Sequence, residues 1–345
     1  MHVVPGSPTP HSRHLLSISD LDPGEIGEVL DSALTLKVGS PAWIGRGGPL
    51  ARKHVALLFD KPSLRTRVSF EVGIGRLGGT VTNLSASEIG LGSRESYADI
   101  ARTLSRYVDA IVIRMHSHPG LAELAGAAEV PVINALTELE HPCQALADLL
   151  TLREHLGSLK GRQLVFVGDG NNVCHSLLLG GAAVGLHVRV ASPAGYEPAP
   201  AIVEEATRLA RRSGARIEVV HDPVVAVAGA DAVYTDVWAS MGSEHEAAAR
   251  RRVFAPFQVN SELLAVAPAA LVMHCLPAHR GEEITAEVID GPTSVAFDQA
   301  ENRTYAQQAV LLHLLRARSV SRASMGVAEP APLRPALAGV AALRP

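Results

Sequence analysis

The sequence predicts an α/β protein with two domains, each a mostly parallel sheet flanked by helices. Short apolar runs alternate with helix-length segments from about residue 53 onward, which is typical of βαβ units. The runs are almost continuously hydrophobic, as expected of parallel strands that are buried on both faces. A chain of 345 residues is long enough to form two cores of ordinary size.

The elements follow one another in a regular order. Residues 1–13 predict a flexible lead, and Asp22-Pro23 marks the start of the first helix. A division is expected near residue 150, after the helix in HPCQALADLLTLREHLG. The tail 319–345 is rich in Ala and Pro and predicts disorder, with a short Ala-rich helix as the lesser possibility. The predicted strands are HVALLF, TVTNL, DAIVI, VPVINAL, QLVFV, HVRVA, IEVV, DAVYT, AALVMH and TSVAF.

Composition and charge argue against several classes of protein. Hydrophobic residues make up 47% and charged residues 19%, as in a globular chain. A net charge of -4 without a basic segment disfavours nucleic-acid binding. No apolar run reaches the ~18 residues of a membrane helix, and the N-terminus lacks a signal-peptide core. Three scattered cysteines without a CxxC pair fit a reducing compartment, so we expect a cytoplasmic protein.

Polar clusters follow seven of the predicted strands. Open α/β sheets bind ligands at the carboxyl ends of their strands, so these clusters form the candidate site. Any one cluster could be only a turn, whereas seven together are hard to explain as loop chemistry alone. The clusters are DKPSLRTR, Arg114, TELEHPCQ, GDGNN, DVWASMG, CLPAHR and DQAENR.

The first cluster has the chemistry of a phosphate site. Ser63 is expected to precede a helix, whose free backbone N–H groups and dipole attract anions. Two hydroxyls, of Ser63 and Thr66, and the fork of Arg65 add donors that suit a dianion. The alternative is a capping serine beside solvated arginines. The segment is not the G-x-x-x-x-G-K-[ST] nucleotide loop.

The HPCQ cluster places a titratable ring and an amide one helical turn apart. His141 could polarise a carbonyl oxygen close to a bound phosphate, and Gln144 can donate and accept hydrogen bonds. The alternative for His141 is a structural loop histidine. In DVWASMG, Asp236 and Ser240 are four residues apart and could hold an ammonium group.

The sequence gives little support to a bound dinucleotide or a bound zinc ion. GDGNN opens a helix after a strand, but Val173 replaces the third glycine of a dinucleotide fingerprint, and the next strand ends in Ser192 rather than in an acid. Its asparagines could instead hold a carboxylate. His274, Cys275 and His279 do not match a recognised zinc spacing, so we expect no metal.

Together these residues resemble the aspartate/ornithine carbamoyltransferase family over about residues 14–317. SLRTR resembles the family's S-x-R-T-R motif for carbamoyl phosphate, and HPCQ its H-P-x-Q motif. DVWASMG and HCLPAHRGEEIT are similar to blocks that mark the ornithine branch. The resemblance implies carbamoyl transfer to the δ-amine of L-ornithine, giving L-citrulline and phosphate in arginine biosynthesis. It implies no metal and no organic cofactor.

The resemblance also implies domains and residue roles. Residues 14–150, with a returning helix at about 302–317, would bind carbamoyl phosphate, and residues 151–301 would bind ornithine. The implied catalytic residues are Arg114, His141, Asp236 and Cys275. The implied carbamoyl-phosphate ligands are Ser63, Leu64, Arg65, Thr66, Glu88, Arg114, His141, Gln144, Cys275, Leu276 and Arg303. The implied ornithine ligands are Asn172, Asp236, Ser240 and Met241.

The family closes its two domains on the substrates and builds each site at an interface of a homotrimer. Two positions depart from its pattern. Leu64 replaces the usual threonine, where a backbone N–H can still serve. Glu88 replaces a glutamine that often reaches into a neighbour's site, and an acid there would repel phosphate unless Arg94 or another cation compensates.

Two other functions stay open. The acceptor could be aspartate, putrescine or an N-acylated ornithine, although Asp236 does not suit aspartate and would lack a charged partner in N-acetylornithine. Putrescine has no α-carboxylate or α-amine to hold. The chain could also be a non-catalytic paralogue, but such a shell need not retain Arg65, His141 and Cys275 together.

Overall fold

A computed structural model of the chain describes residues 13–39, 47–239 and 246–324. Two separate parallel sheets form its framework, with four and five strands. The α/β class with two helix-flanked parallel sheets is therefore confirmed. Within the described ranges, no helix is both long and apolar enough to cross a membrane.

The first sheet has the strand order β2-β1-β3-β4. All neighbouring strands are parallel, and the chain reverses its direction of progress between β1 and β3. That reversal is the switch point at which ligands bind in open sheets of this kind. The strands are β1 (His54–Phe59), β2 (Thr80–Ser85), β3 (Ala110–Arg114) and β4 (Val132–Leu136).

The second sheet has the order β7-β6-β5-β8-β9, again with parallel neighbours. Its switch point lies between β5 and β8. The polar loops at both switch points therefore follow the carboxyl ends of the strands, as the sequence predicted. The strands are β5 (Gln163–Val167), β6 (His187–Ala191), β7 (Ile217–Val220), β8 (Ala232–Thr235) and β9 (Leu271–His274).

Thirteen α-helices cover these sheets within the described residues. Most connect consecutive parallel strands, as βαβ units require. They are α1 (Pro23–Val38), α2 (Leu64–Arg76), α3 (Ala86–Ile89), α4 (Tyr97–Leu104), α5 (His118–Ala127), α6 (Pro142–Leu156), α7 (Asn172–Val184), α8 (Pro200–Ser213), α9 (Pro223–Val227), α10 (Ala247–Phe254), α11 (Ser261–Leu264), α12 (Ala286–Ile289) and α13 (Ala296–Ser324).

The first helix begins where its sequence signals predicted. Asp22 accepts a hydrogen bond from the backbone N–H of Glu25, the Glu25 carboxylate accepts from the Asp22 N–H, and Pro23 occupies the first turn. A final helix, α13, returns to the first sheet and packs against α1, α2 and α6. The amide of Gln308 donates to the Gly73 carbonyl oxygen at 2.8 Å and fixes α13 on α2.

A single buried hydrophobic cluster joins the two sheets. It runs from Leu57 in β1 through Leu146 in α6 and Leu178 in α7 to Phe166 in β5, and Val310 of α13 also belongs to it. Apart from the edge strands β2 and β7, the strands are largely buried on both faces, as their near-continuous apolar runs predicted. The relative placement of the two sheets is therefore set by core packing as well as by hydrogen bonds.

The predicted strand TSVAF is wrong. Residues 293–295 make only one bridge to β9, with Val272 donating to the Thr293 carbonyl and Val295 to the Val272 carbonyl. The helix α13 begins at Ala296, so the polar cluster DQAENR lies in its first turns and not at a strand end. Residues 319–324 of the expected disordered tail also continue α13. Residues 1–12 and 325–345 lie outside the described residues.

Candidate active site

Three guanidinium groups meet at the first switch point. Arg65 lies in the first turn of α2, Arg114 ends β3, and Arg303 comes from α13. Burial, followed by repulsion from Arg303 and Arg65, lowers the pKa of Arg114 to about 10, so this guanidinium stays charged at neutral pH. Burial also lowers the pKa of Arg303, and Arg65 adds to that effect. The cluster is therefore a concentration of positive charge in which Arg303 is buried and Arg65 and Arg114 are partly buried.

The start of α2 supplies neutral donors beside this charge. Ser63 precedes the helix with an extended backbone, and its hydroxyl makes no capping hydrogen bond. Thr66 is fully buried, and its hydroxyl oxygen accepts a hydrogen bond from Arg303 at 2.7 Å. The side chain of Leu64 is 74% exposed, so this position can contribute only its backbone to the site. A helix N-terminus with two hydroxyls and three guanidiniums suits a phosphate.

His141 and Gln144 lie at the start of α6, buried beside the cationic cluster. The backbone N–H of His141 donates to the Ser176 hydroxyl at 2.9 Å, while its ring Nδ1 has no partner. Burial and the charges of Arg303 and Arg114 hold the pKa of His141 well below its usual range, so the ring is neutral. The Gln144 amide donates to a carboxylate oxygen of Asp148 at 2.8 Å, and its Oε1 has no partner.

Unpartnered polar atoms mark this region as a binding site. Buried polar groups in folded proteins are nearly always hydrogen-bonded, so clustered exceptions indicate where a ligand binds. Four such atoms belong to residues predicted from the sequence to bind carbamoyl phosphate. They are Arg114 Nε, His141 Nδ1, Gln144 Oε1 and Arg303 Nε.

An acid and a thiol come from the second sheet. The Cys275 thiol, after β9, donates to Asp236 Oδ1 at 3.0 Å, and Asp236 follows β8. Burial and then the Asp236 carboxylate raise the pKa of Cys275 well above its usual range, which keeps it a thiol. Arg65 interacts with the Asp236 carboxylate across the two sheets, and both Arg65 and Arg114 lie close to Cys275. The structure thus brings Arg65, His141 and Cys275 into one cleft.

A buried pair shapes the loop that follows Cys275. The His274 ring accepts the Leu276 backbone N–H at Nδ1, at 2.8 Å, and its Nε2 lies 3.1 Å from a carboxylate oxygen of Glu283. Leu276 has a φ of 58°, a left-handed backbone that a leucine rarely adopts without such support. The ring therefore holds the backbone at the position where Leu276 is predicted to present its carbonyl.

The remaining predicted residues differ in placement. Asn172 reaches across the cleft, where its amide donates to the Thr137 carbonyl oxygen at 2.6 Å. Glu88 is exposed and accepts the Ser85 backbone N–H of its own short helix, so within this chain it does not join the cluster. Ser240 and Met241 lie outside the described residues.

One group of possible metal ligands occurs in the described ranges, with donor atoms of Asp236, His274 and Cys275 within 4.8 Å of one another. The residues do not fit a resident metal. Both ring nitrogens of His274 already face partners, and the high pKa of Cys275 disfavours the thiolate that a metal requires.

The two glycines of GDGNN are required by the local backbone. A Cβ at Gly170 would lie 2.2 Å from the backbone nitrogen of Pro198, and Gly168 has a φ of 139°. Neither position tolerates a side chain, and no phosphate is needed to explain them.

Sequence reasoning missed the supporting roles of several residues around the site. Asn171 caps α7 and donates to Asp236 Oδ2 at 2.8 Å, which orients that carboxylate. Arg250 pairs with Asp169 at 2.8 Å over the ring of Tyr196, near the loop after Asp236. Asp148 is fully buried, and a lone acid in the apolar run ALADLL was the signal that could have found it.

The fold and the site define an α/β protein with a composite cleft, in which one sheet supplies a cationic cluster and the other a buried acid. Two family profiles match the chain. One, described as the carbamoyl-phosphate-binding domain of aspartate/ornithine carbamoyltransferase, covers residues 13–154, and the other, its aspartate/ornithine-binding domain, covers residues 160–314. The chain therefore belongs to the aspartate/ornithine carbamoyltransferase family and is a carbamoyltransferase.

Individual relatives agree with this placement. The chain is 58% identical over 304 residues to the ornithine carbamoyltransferase of Methanothermobacter thermautotrophicus, covering 88% of this chain and 99% of that one. The solved ornithine carbamoyltransferase of Pyrococcus furiosus has a TM-score of 0.84 at 50% identity, with 88% and 97% covered. The anabolic enzyme of Campylobacter jejuni has a TM-score of 0.83 at 36% identity, with 89% and 100% covered. The predicted family resemblance is confirmed.

The raised pKa of Cys275 gives a first prediction. We expect iodoacetamide to label Cys275 slowly at pH 8, because little thiolate is present. Replacing the neighbouring charge in Asp236→Asn should lower the thiol pKa and speed labelling several-fold, as followed by peptide mass spectrometry. The exposed carboxylate of Asp290 provides a matched control in Asp290→Asn, which should leave the rate unchanged. Equal labelling of Cys275 in all three proteins would contradict the assigned cause.

Proposed function

We propose that this chain is an ornithine carbamoyltransferase, which transfers the carbamoyl group of carbamoyl phosphate to the δ-amine of L-ornithine. The observation that carries the proposal is the set of four buried polar atoms without partners on Arg114, His141, Gln144 and Arg303. The buried Asp236 carboxylate of the second sheet lies close enough to Arg65 for their charges to interact. An anion held on one side then lies next to an ammonium group held on the other. The names of the relatives at more than half identity support the same substrate pair.

The cationic cluster would hold the phosphate. The Ser63 hydroxyl and the backbone N–H groups of Leu64 and Thr66 would donate to its oxygens. Arg65 and the two guanidiniums behind it, Arg114 and Arg303, would donate as well. Binding a dianion would relieve the repulsion from Arg303 and Arg65 that adds to burial in lowering the pKa of Arg114. Forked guanidiniums fit phosphate oxygens in pairs, which fixes orientation as well as charge.

The carbamoyl group would lie over the start of α6. Arg114, His141 and Thr66 would donate to its carbonyl oxygen. The unpartnered Gln144 Oε1 and the backbone carbonyls of Cys275 and Leu276 would accept from its amine. Because the His141 ring is neutral and buried, it would act as a hydrogen-bond donor and not as a cation.

Ornithine would bind between the loops of the second sheet. Asp236 and Ser240 would hold the α-amino group, while Asn172 and the Met241 backbone would hold the carboxylate. For that role the Asn172 amide must exchange its contact with the Thr137 carbonyl for one with ornithine. The δ-amine would then face the carbamoyl carbon near Cys275.

The reaction is an acyl transfer carried mainly by positioning and charge. The neutral δ-amine attacks the carbamoyl carbon, the C–N bond forms, and the carbonyl oxygen becomes an oxyanion that Arg114 and His141 stabilise. The C–O bond to phosphate then breaks, phosphate leaves with that electron pair, and the amine releases one proton. The anabolic name of the Campylobacter relative favours this synthetic direction, in arginine biosynthesis.

We also infer the domain division that the family suggests. Residues 14–150 with the returning helix at about 302–317 would form the carbamoyl-phosphate domain, and residues 151–301 the ornithine domain. The contacts of α13 with α1, α2 and α6 support the return. Three free, buried cysteines support a cytoplasmic location.

A homotrimer is the assembly we infer. An apolar stripe on α2 is exposed in the single chain and repeats every fourth residue, at Leu64, Val68 and Val72, with exposures of 74%, 44% and 41%. Tyr107, which follows α4, is also 74% exposed. Apolar surface of this kind marks subunit contacts, and the stripe begins beside the phosphate site. Glu88 would face a neighbour's site only in such an assembly.

A colorimetric citrulline assay tests the function directly. We expect the chain to form citrulline from carbamoyl phosphate and ornithine, with a rate that rises from neutral to alkaline pH. The reason is that the δ-ammonium, with a pKa of roughly 10 like that of lysine, must lose its proton before it attacks. Aspartate, putrescine and N-acetylornithine are the comparison acceptors. Absence of citrulline at every pH would favour a non-catalytic paralogue.

Asp236→Ala separates the two half-sites. We expect citrulline formation to fall by at least about 100-fold, since a buried charge-assisted partner of the ammonium group is lost. Binding of phosphate, followed by calorimetry, should change by less than about threefold. Asp290→Ala removes an exposed carboxylate as the control. Normal ornithine turnover by Asp236→Ala would show that Asp236 is not the ammonium ligand.

Val68→Glu tests the assembly. A charge at the centre of the α2 stripe should dissociate the trimer, because a buried unpaired carboxylate is costly at an interface. Light scattering should then report one chain per particle in place of three. Val224→Glu carries the same change on α9, where the valine is 52% exposed, and should leave the mass unchanged. A monomeric unaltered chain would refute the trimer outright.

A further inference from the structure

A network of four buried hydrogen bonds lies behind Gln144. The His274 backbone N–H donates to Gln299 Oε1 at 2.8 Å, and Gln299 Nε2 donates to Asp148 Oδ1 at 2.8 Å. The same Asp148 oxygen accepts from Gln144 Nε2 at 2.8 Å, and its other oxygen accepts from the Tyr234 hydroxyl at 3.0 Å. These side chains are almost completely buried, so their polar atoms must find hydrogen-bond partners within the protein.

The His274 backbone N–H and the Asp148 carboxylate fix which group donates in each hydrogen bond of this network. A backbone N–H can only donate, so Gln299 must present its oxygen to His274 and its N–H to Asp148. Asp148 must then accept at Oδ1, and a carboxylate offers nothing else there. Gln144 is left one option, with its N–H directed inward and its Oε1 unpartnered.

We propose that Gln299 and Asp148 are positioning residues that make Gln144 present only a hydrogen-bond acceptor to the ligand. The proposal rests on the proposed function and deepens it. The site then selects carbamoyl phosphate by its –NH₂ group. A methyl group in that place would leave Oε1 buried and unpaired, at a cost in affinity of about 5- to 150-fold. A carboxylate oxygen would face Oε1 acceptor to acceptor.

The geometry also predicts which variants keep the direction. In Asp148→Asn, the Asn oxygen can still accept from Gln144 and Gln299, because the Tyr234 hydroxyl can turn round and accept from the new amide. Gln144 therefore keeps its orientation. This isosteric variant removes the charge of Asp148 but keeps the donor and acceptor of each hydrogen bond to Gln144, so it serves as the control.

A second variant reverses the direction. In Asp148→Asn/Gln299→Glu, the Glu carboxylate accepts from the His274 N–H and from the Asn amide. The Asn amide then also donates to Gln144 Oε1, and Tyr234 donates to the Asn oxygen. Every group remains paired, the volumes and the net charge are conserved, and only Gln144 turns over. Its N–H now faces the ligand.

The experiment uses two non-hydrolysable probes that differ only at the selected group, phosphonoacetamide and phosphonoacetate. Calorimetry gives the Kd of each, and of inorganic phosphate, for the unaltered chain and both variants. We expect the ratio of the phosphonoacetate Kd to the phosphonoacetamide Kd to fall at least about tenfold in the double variant. It should stay within about threefold in Asp148→Asn. The phosphate Kd should stay within about threefold in the double variant, which conserves the net charge, whereas a merely structural defect would weaken phosphate binding as well.

Three results would overturn the proposal. The ratio could stay unchanged in a double variant that still binds phosphate, Asp148→Asn could lower it as much as the double variant does, or the double variant could lose phosphate together with both probes. If the unaltered chain binds neither probe and forms no citrulline, the proposed function fails, and the positioning role with it. If it binds phosphonoacetamide and makes citrulline, only the positioning role is at stake.

Discussion

The site depends on a concentration of like charge that the fold holds in place. Two unit charges about 5 Å apart repel by about 3 kcal/mol at an effective dielectric constant of about 20. Arg65, Arg114 and Arg303 bear such repulsion together with the cost of burial, and the lowered pKa of Arg114 reflects both. Only elements fixed by their own packing can hold such groups together. An anion with two charges is the natural complement, because it replaces repulsion with paired hydrogen bonds.

The third guanidinium depends on the returning helix α13. Arg303 comes from α13, which follows the second sheet in sequence but packs on helices of the first. Its contact with Thr66 spans 237 positions of the chain. The two sheets are joined again through Asn172 and Thr137, and through the His141 N–H and Ser176. The anion site can therefore form fully only when both halves and the returning helix have docked.

The fold and the conspicuous site residues could be predicted from the sequence because their signals are local. Nine of the ten apolar runs are strands, since alternation with helix-length segments leaves little choice in a parallel sheet. TSVAF failed because a short apolar run before a helix has the same pattern as a strand, and only a competing helix start decides between them. Reactive side chains at strand ends were equally visible, as with Arg114 and Asp236.

The support of those residues could not be predicted in the same way. Asp148 and Gln299 lie 151 positions apart, and neither stands at a strand end. Their roles follow from which atoms donate and which accept in the folded core, and no sequence spacing encodes that. The role of Asn171 was easier to predict, because this residue is next to Asn172, a predicted ornithine ligand. Its contact with Asp236 still depends on β5 and β8 being neighbours in the sheet.

The same electrostatics determine where the proton of the reaction can go. His141 is neutral at neutral pH, but the burial and the neighbouring charges that lower its pKa also make its ring a very weak base. Cys275 stays protonated, because its pKa is raised well above the usual range. Asp148, with a pKa raised to about 6, has its oxygens occupied by three donors. None of these groups is suited to deprotonate an ammonium group in the cleft. We therefore expect the amine to arrive neutral or to lose its proton to solvent, and we assign the predicted alkaline dependence to the substrate and not to a catalytic base.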